Sequence, residues 1–403
     1  MIAFILGREF RLSIAEINNF FSNSKLIFAD REIAFFEGIS VDEITSNFYK
    51  LGGNIKVIEI LEELQEEKNF PVESEKIISE KIDFETGKFC YAFAQYGMNS
   101  NIFSSGIKVK KELKKANFKN ARFVNKDSNN VNAAVFKKEK LRSLTGIELN
   151  FIKAEDRLFL GKTIAYQDVD SYSARDFGKS RDMGIGMLPP KLAQMMINIA
   201  LTPTLSQRER EKNISIYDPF CGLGTILIEA LNSGYSNVYG SDLNEKMVEA
   251  TSKNISFYLK QTTKAEVFKQ DSSQIEKVDF LKGTRNISII SEGYLGSIMT
   301  KGHVTEEKID LERDTLYKIY KGFFSGLKKI HFKGDIVICF PFWELKGKYI
   351  YFEEVYRLLR DLGFETKKLL PDNLEFKETR SGSLLYHRPG QQVGREIFKL
   401  KLG

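Results

Sequence analysis

The stretch Ile214-Ser215-Ile216-Tyr217-Asp218-Pro219-Phe220-Cys221-Gly222-Leu223-Gly224-Thr225 constrains this chain more than any other part of it. The apolar run up to Tyr217 reads as a short buried strand. A turn with two glycines follows, and then a helix over Ile226–Asn232. Gly222 and Gly224 have no Cβ, so a ligand can approach their backbone closely. The helix behind them presents its N-terminal N–H groups to that ligand. A second strand, Val238-Tyr239-Gly240-Ser241-Asp242, ends in an acid that suits a ribose diol. A dinucleotide site usually carries three glycines in the order GxGxxG, which is not the order here.

From Ile214 onward, apolar runs and amphipathic segments alternate. Strands are expected at 215–217, 238–241, 265–269, 287–291, 335–340 and 365–369. Helices are expected at 225–232, 245–260, 306–329 and 350–361, with a closing hairpin at 384–388 and 395–400. This pattern predicts a doubly wound α/β sheet with ligands at its strand ends. Pro189-Pro190 opens the preceding helix, where proline loses no needed hydrogen bond. The Pro- and charge-rich segment Thr202–Lys212 has little to bury and reads as an inserted surface loop.

A chain of 403 residues holds two or three domains. Residues 1–60 read as a small α/β module of ferredoxin-like type. Its strands are expected at 1–7, 25–30, 32–37 and 55–60, and its helices at 13–21 and 41–50. Residues 61–165 read as a second α/β module, with a strand at 88–96, a helix at 105–116 and a hairpin at 149–153 and 157–164. Residues 166–186 read as a linker, and 187–403 as the third unit.

Net charge is +6, unevenly placed. Glu59–Gly87 holds ten acids and three lysines, whereas Lys108–Arg142 holds twelve Lys/Arg and three acids. A basic block of this size attracts polyanions in a salt-dependent way, although a solvated lysine-rich surface has the same composition. Cys90, Cys221 and Cys339 are too dispersed for a metal or disulfide pattern, and the three histidines give no metal site. No apolar run reaches the ~18 residues that would cross a membrane, and a cytoplasmic setting is expected.

Asp218–Thr225 together with Gly240-Ser241-Asp242-Leu243-Asn244 resembles the S-adenosylmethionine (SAM) site of an amino-group methyltransferase. On that resemblance, the turn Phe220–Thr225, with Gly222, Gly224 and Thr225, receives the aminoacyl part of SAM. Asp218 receives the ammonium. Asp242, beside Leu243, suits the ribose, and Asp271, beside Ser272, suits the adenine amino group. Each acid alone is more often a loop or cap residue; their recurrence at successive strand ends carries the argument.

The fourth strand end should hold the methyl acceptor, and it reads Ser291-Glu292-Gly293-Tyr294. Amino-methyltransferases usually carry Asp/Asn/Ser-Pro-Pro-Tyr/Phe there. A base's exocyclic nitrogen shares its lone pair with the ring and is a poor nucleophile. A side-chain acceptor and a backbone carbonyl orient its N–H groups and stabilise the developing positive charge, while the aromatic residue stacks on the base. Here Ser291 or Glu292 is the candidate acceptor and Tyr294 the stacking ring. The two prolines are absent.

Most of the chain resembles the THUMP-containing tRNA guanosine N2-methyltransferases, the archaeal and eukaryotic kind that modify position 10. The matching pieces are Phe4–Arg8, Leu51-Gly52-Gly53, Arg181-Asp182 and Gly186–Ala193. Asp218–Thr225, Ser383–Pro389 and Gln392–Glu396 complete the set, and Phe123–Val135 resembles the core of a THUMP domain. The resemblance implies a Rossmann-like class I SAM methyltransferase domain preceded by ferredoxin-like and THUMP domains. It also implies that Pro190 packs against SAM, and that tRNA is the substrate, gripped at its 3′ end by the THUMP domain. No metal is expected, and the need for a small activating subunit is left open. A DNA amino-methyltransferase is one alternative reading. A catalytically impaired SAM- and RNA-binding protein is another, motivated by the missing prolines.

Overall fold

The computed structural model describes the chain except residues 22, 82–87, 119, 128, 178–187, 201–212, 259–264, 285, 298 and 300–303. The expected inserted loop at 202–212 and the motif pieces at 179–187 therefore lie outside the described residues. The chain divides into two units. One comprises residues 1–10, 23–49 and 54–170; the other comprises 11–22, 50–53 and 171–403.

The first unit is built on one sheet of eight strands. They are β1 (Ile2–Leu6), β2 (Lys25–Ala29), β3 (Ile33–Glu37), β4 (Asn54–Leu64), β5 (Phe89–Tyr96), β6 (Ala121–Phe123), β7 (Gly146–Ala154) and β8 (Arg157–Tyr166), in the order β2-β3-β1-β4-β8-β7-β5-β6. β4 pairs with β1 on one side and β8 on the other. The sheet thus runs unbroken through both N-terminal segments, and residue 60 falls inside β4 rather than at a gap.

The acid-rich stretch after β4 folds as a helix, Phe70–Lys81, that buries Phe70, Ser74 and Ile78 at four-residue spacing and leaves its charges outward. The basic stretch forms the helix Ile102–Lys115, burying Ile102, Gly106, Val109 and Leu113 while Lys108, Lys110, Lys111, Lys114 and Lys115 are exposed. The asparagines after β6 continue its pairing with side chains. The Asn125 amide accepts from Phe93 N and donates to Phe93 O, at 2.9 and 2.8 Å. Asn130 does the same with Gln95.

The second unit contains α1 (Phe10–Phe20, from Arg11 onward), α7 (Pro190–Ala200) and a nine-stranded sheet. Its strands are β9 (Ser215–Asp218), β10 (Val238–Asp242), β11 (Ala265–Lys269), β12 (Ile287–Ser291), β13 (Ile336–Leu345), β14 (Lys348–Tyr351), β15 (Phe364–Thr366), β16 (Leu384–Tyr386) and β17 (Val393–Leu402). The main order is β11-β10-β9-β12-β13-β17-β15, with β14 paired to β13 and β16 to β17. β9 to β13 run parallel and β17 is antiparallel to β13. The order therefore reverses between β9 and β12, the position at which such sheets open a crevice beyond their carboxyl ends.

The helices α8 (Thr225–Asn232), α9 (Glu245–Tyr258), α10 (Glu306–Lys329) and α11 (Glu353–Leu362) complete the alternation. In α10 the long helix follows from residue order. Thr305 caps it, acids occupy its first turn and lysines its last, and Ile309, Leu316, Tyr320, Phe323, Phe324 and Leu327 form one apolar stripe. That stripe packs on the sheet beside Tyr217, Ile289, Ile338 and Trp343. Trp343 is a core residue, fully buried.

The N-terminal helix is joined to this unit by polar contacts. The buried Glu16 carboxylate accepts from Gly52 N, Gly53 N and Asn198 Nδ2, each at 2.8 Å. Gly52 is required by proximity: a Cβ there would lie 2.1 Å from the Lys191 carbonyl oxygen. Glu16→Ala would leave three donors without this acceptor. It should lower unfolding stability by roughly 2–4 kcal/mol, read as a shifted denaturant midpoint at unchanged slope. An unaltered midpoint would show that α1 is not needed by the nine-stranded sheet.

Candidate active site

The strand-end acids lie along one edge of the second sheet. Gly240 is level with Asp218, Asp242 with Lys269, and Ser291 with Ile338. The glycine turn is stitched between β10 and α9. Cys221 N donates to Ser241 O at 2.9 Å, Gly222 N to Asp242 Oδ2 at 3.0 Å, and Thr251 Oγ1 to Gly222 O at 2.6 Å. Asn254, one helical turn on from Thr251, donates to Leu223 O at 3.0 Å. Sequence reasoning missed Thr251 and Asn254; the signal was two polar residues at i, i+3 on the apolar face of α9.

Gly222 has φ +51° and open space where a Cβ would stand. Gly224, φ +82°, caps α8 without a side-chain bond, so the N-terminal amides of that helix face the turn's mouth. Phe220 is half-buried against Phe323, at 5.7 Å between ring centroids. Thr225 and Pro190 are buried.

Asp218 is 2% exposed. Both of its hydrogen bonds fall on Oδ1, from Ser291 Oγ at 2.6 Å and Phe220 N at 3.1 Å, which leaves Oδ2 uncommitted among the described residues. Burial pushes its pKa up to about 7; the two hydrogen bonds oppose that rise, and the charges of Asp242 and Glu292 add to it. Burial also raises Asp242, against the backbone donors Asn244 N and Gly222 N. The Cys221 thiol is pushed far up by burial, with the neighbouring Asp218 and Asp242 charges adding, so it is no nucleophile.

Asp271 accepts from Ser273 N and Oγ, both through Oδ1. Ser272 donates to the Pro219 carbonyl at 2.5 Å, tying the turn after β11 to the glycine turn. Leu243, 64% exposed, stands next to Asp242. Among the described residues, the open space at Gly222, the second carboxylate oxygens of Asp218 and Asp271, and the exposed Leu243 side chain fit SAM.

The fourth-strand motif divides its residues. Ser291 is fully buried, and its hydroxyl is used twice: it donates to Asp218 and accepts from Gly293 N at 3.0 Å. Glu292 forms an ion pair with Arg395 on β17, Oε1 to Nε at 2.5 Å. Tyr294 is 40% exposed, and its carbonyl accepts the Tyr320 hydroxyl at 2.8 Å. Gly293 has φ +69°, outside proline's range, and a Cβ there would lie 2.4 Å from Tyr320 Oη. This loop therefore has no room for the Pro-Pro form in its present course. Arg395 and Tyr320 were not found from the sequence as parts of this loop. Arg175 pairs with the buried Glu229 at 2.8 Å.

The second unit has the strand order and strand-turn-helix arrangement of the class I methyltransferase fold. Residues 178–306 match the model of the UPF0020 family, described as an RMKL-like methyltransferase domain. The tRNA (guanine(10)-N2)-dimethyltransferase of Methanothermobacter thermautotrophicus is 34% identical over 127 residues, 31% of this chain and 34% of that protein. The enzyme of the same name from Pyrococcus abyssi is 32% identical over 156 residues, 38% of this chain and 39% of that protein. The chain thus spans little more than a third of the length of the curated relatives it matches. TrmN from Thermus thermophilus superposes with a TM-score of 0.51 over 100% of this chain and 99% of that one at 14% identity, which shows a shared fold.

A cationic ligand at Asp218 needs the carboxylate, whereas the empty site near neutrality is partly protonated. Affinity for S-adenosylhomocysteine should therefore rise with pH up to about 7 and then level off, by at most about tenfold per unit. Titration calorimetry across this range should find the rise in the native protein and its loss in Asp218→Asn. A rise of the same size in the variant would assign it to another group. The same raised pKa sets the sign for folding. The contribution of Asp218 is full below its unfolded value of about 3.9 and declines as pH rises to about 7.

Proposed function

We propose that this protein transfers the methyl group of SAM to the exocyclic N2 of a guanosine in tRNA. The observation that carries the reading is the Ser291–Asp218 hydrogen bond, which joins the cofactor turn to the acceptor loop across the point where strand order reverses. The named activity of the two curated relatives supports the choice of acceptor. SAM, when bound, supplies an electrophilic methyl group. Asp218, Asp242, Asp271 and the amides of the glycine turn hold it, with Phe220, Leu243, Ser272, Thr225 and Pro190 around them. Ser291 and Glu292 hold the acceptor loop, and Tyr294, partly exposed, stacks on a base drawn out of its helix. Transfer is direct, with no covalent enzyme intermediate.

In the same proposal the first unit grips the RNA. Its support is the row of exposed lysines on Ile102–Lys115; the exposed Lys137 and Lys138 stand on a helix that packs on the other face of the sheet. Among the described residues no helix is long and apolar enough to cross a membrane. A cytoplasmic setting belongs to the proposal.

Incubation with labelled SAM and unmodified tRNA transcripts, followed by nucleoside digestion and mass spectrometry, tests the reaction. N2-methylguanosine should form, and should be lost in Asp218→Ala and reduced in Tyr294→Ala. No methylated nucleoside despite measurable binding of SAM and tRNA, or methylation of duplex DNA instead, would overturn it. Changing Lys110, Lys111 and Lys114 together to Glu should weaken tRNA binding while leaving S-adenosylhomocysteine affinity unchanged. The slope of log affinity against log salt should flatten by about 2–3 for three lost phosphate contacts. An unchanged slope would place the RNA elsewhere.

A further inference from the structure

The fourth-strand loop departs from the proline-rich pattern, and the structure provides another means of holding it. β17 lies next to β13, which lies next to β12. Arg395, opposite Pro341 on β13, reaches from β17 to Glu292 just past the end of β12. The Arg395 side chain is 5% exposed and that of Glu292 17%. The face of the guanidinium lies over the Tyr386 ring, 5.9 Å from its centroid, and Gln391 Oε1 accepts from Nη1 at 3.5 Å. Burial alone would lower the pKa of Arg395, but the Glu292 charge and hydrogen bond raise it, so the cation is held.

Glu292 commits only Oε1 to this pair. Oε2 has no partner among the described residues, and the side chain retains some exposure. Ser291, by contrast, is closed off: no part of it is exposed, and its hydroxyl is engaged as donor and as acceptor. Tyr320 fixes the other end of the loop through the Tyr294 carbonyl.

We propose that Glu292, through Oε2, is the catalytic residue that accepts an N–H of the substrate's exocyclic amine, and that Arg395 is the positioning residue that holds its carboxylate. Ser291 then serves the cofactor side, by fixing Asp218. This rests on the amino-methyl transfer proposed above. As the N–C bond forms and the sulfonium S–C bond breaks, positive charge builds on the nitrogen. A carboxylate fixed at the N–H stabilises that charge, and the proton then leaves to water. A buried arginine keeps the carboxylate in place without consuming its second oxygen.

The test uses the full chain with unmodified tRNA transcripts and separates kcat, KM and S-adenosylhomocysteine affinity for Glu292→Gln, Arg395→Lys, Arg395→Ala and Ser291→Ala, with melting temperature recorded for each. Glu292→Gln should lose about a hundredfold in kcat, with cofactor affinity and melting temperature kept. Arg395→Ala should lose kcat similarly and Arg395→Lys should recover part of it, while Ser291→Ala should weaken cofactor binding most. Full kcat in Glu292→Gln, or loss of kcat in Ser291→Ala at unchanged cofactor affinity, overturns the assignment with the reaction intact. A native protein that methylates no RNA overturns the reaction itself, and this assignment with it.

Discussion

The site depends on one short hydrogen bond between two strands that are not consecutive in sequence. Ser291 closes β12 and Asp218 closes β9, and the 2.6 Å contact between them spans the sheet's switch point. Both side chains are buried, so each depends on the other to be satisfied. The bond also fixes which oxygen of Asp218 is available. Because Phe220 N shares the same oxygen, the carboxylate cannot rotate without losing two donors. The glycine turn and the acceptor loop are in this way registered to each other before any ligand arrives.

Electrostatics gives this arrangement a direction. Asp218, Asp242 and Glu292 lie close enough for the charges of the other two to raise Asp218 further once burial has lifted it. A pocket of clustered acids is costly to keep ionised and is relieved by a cation. Among the described residues, the ion pair of the buried Arg395 is with Glu292. The uncompensated negative charge is thereby left at the strand ends where a sulfonium and an ammonium would be welcome.

Much of this was legible in residue order because the signals were local. A glycine turn between a strand and a helix, acids at successive strand ends, and the capped stripe of α10 each lie within a few residues. What escaped was non-local. Arg395 meets Glu292 across 103 positions, and Tyr320 meets Tyr294 across a helix. The helix Phe70–Lys81 was missed for another reason: its buried stripe of Phe70, Ser74 and Ile78 includes a serine, so the acids around it obscured the periodicity. β4 was read too short, because a strand with charged residues beyond Ile60 looks like a loop until its partners β1 and β8 are known. The linker expected at 166–186 contains the helix Val169–Phe177, whose polar sequence is explained by Arg175 reaching the buried Glu229.

The second unit is assembled from distant parts of the chain. Lys399 Nζ donates to Asn19 Oδ1 at 3.1 Å and to Ile199 O at 2.8 Å, linking residues 380 positions apart. During synthesis α1 emerges early, close in sequence to Gly52 and Gly53, but its contact with Lys399 forms only when β17 has left the ribosome. The sheet of the first unit, with its own strands complete by Tyr166, is free to form before then. The second unit therefore closes last, so a prematurely ended chain can carry a finished N-terminal sheet while the strand ends of the second sheet are still unassembled.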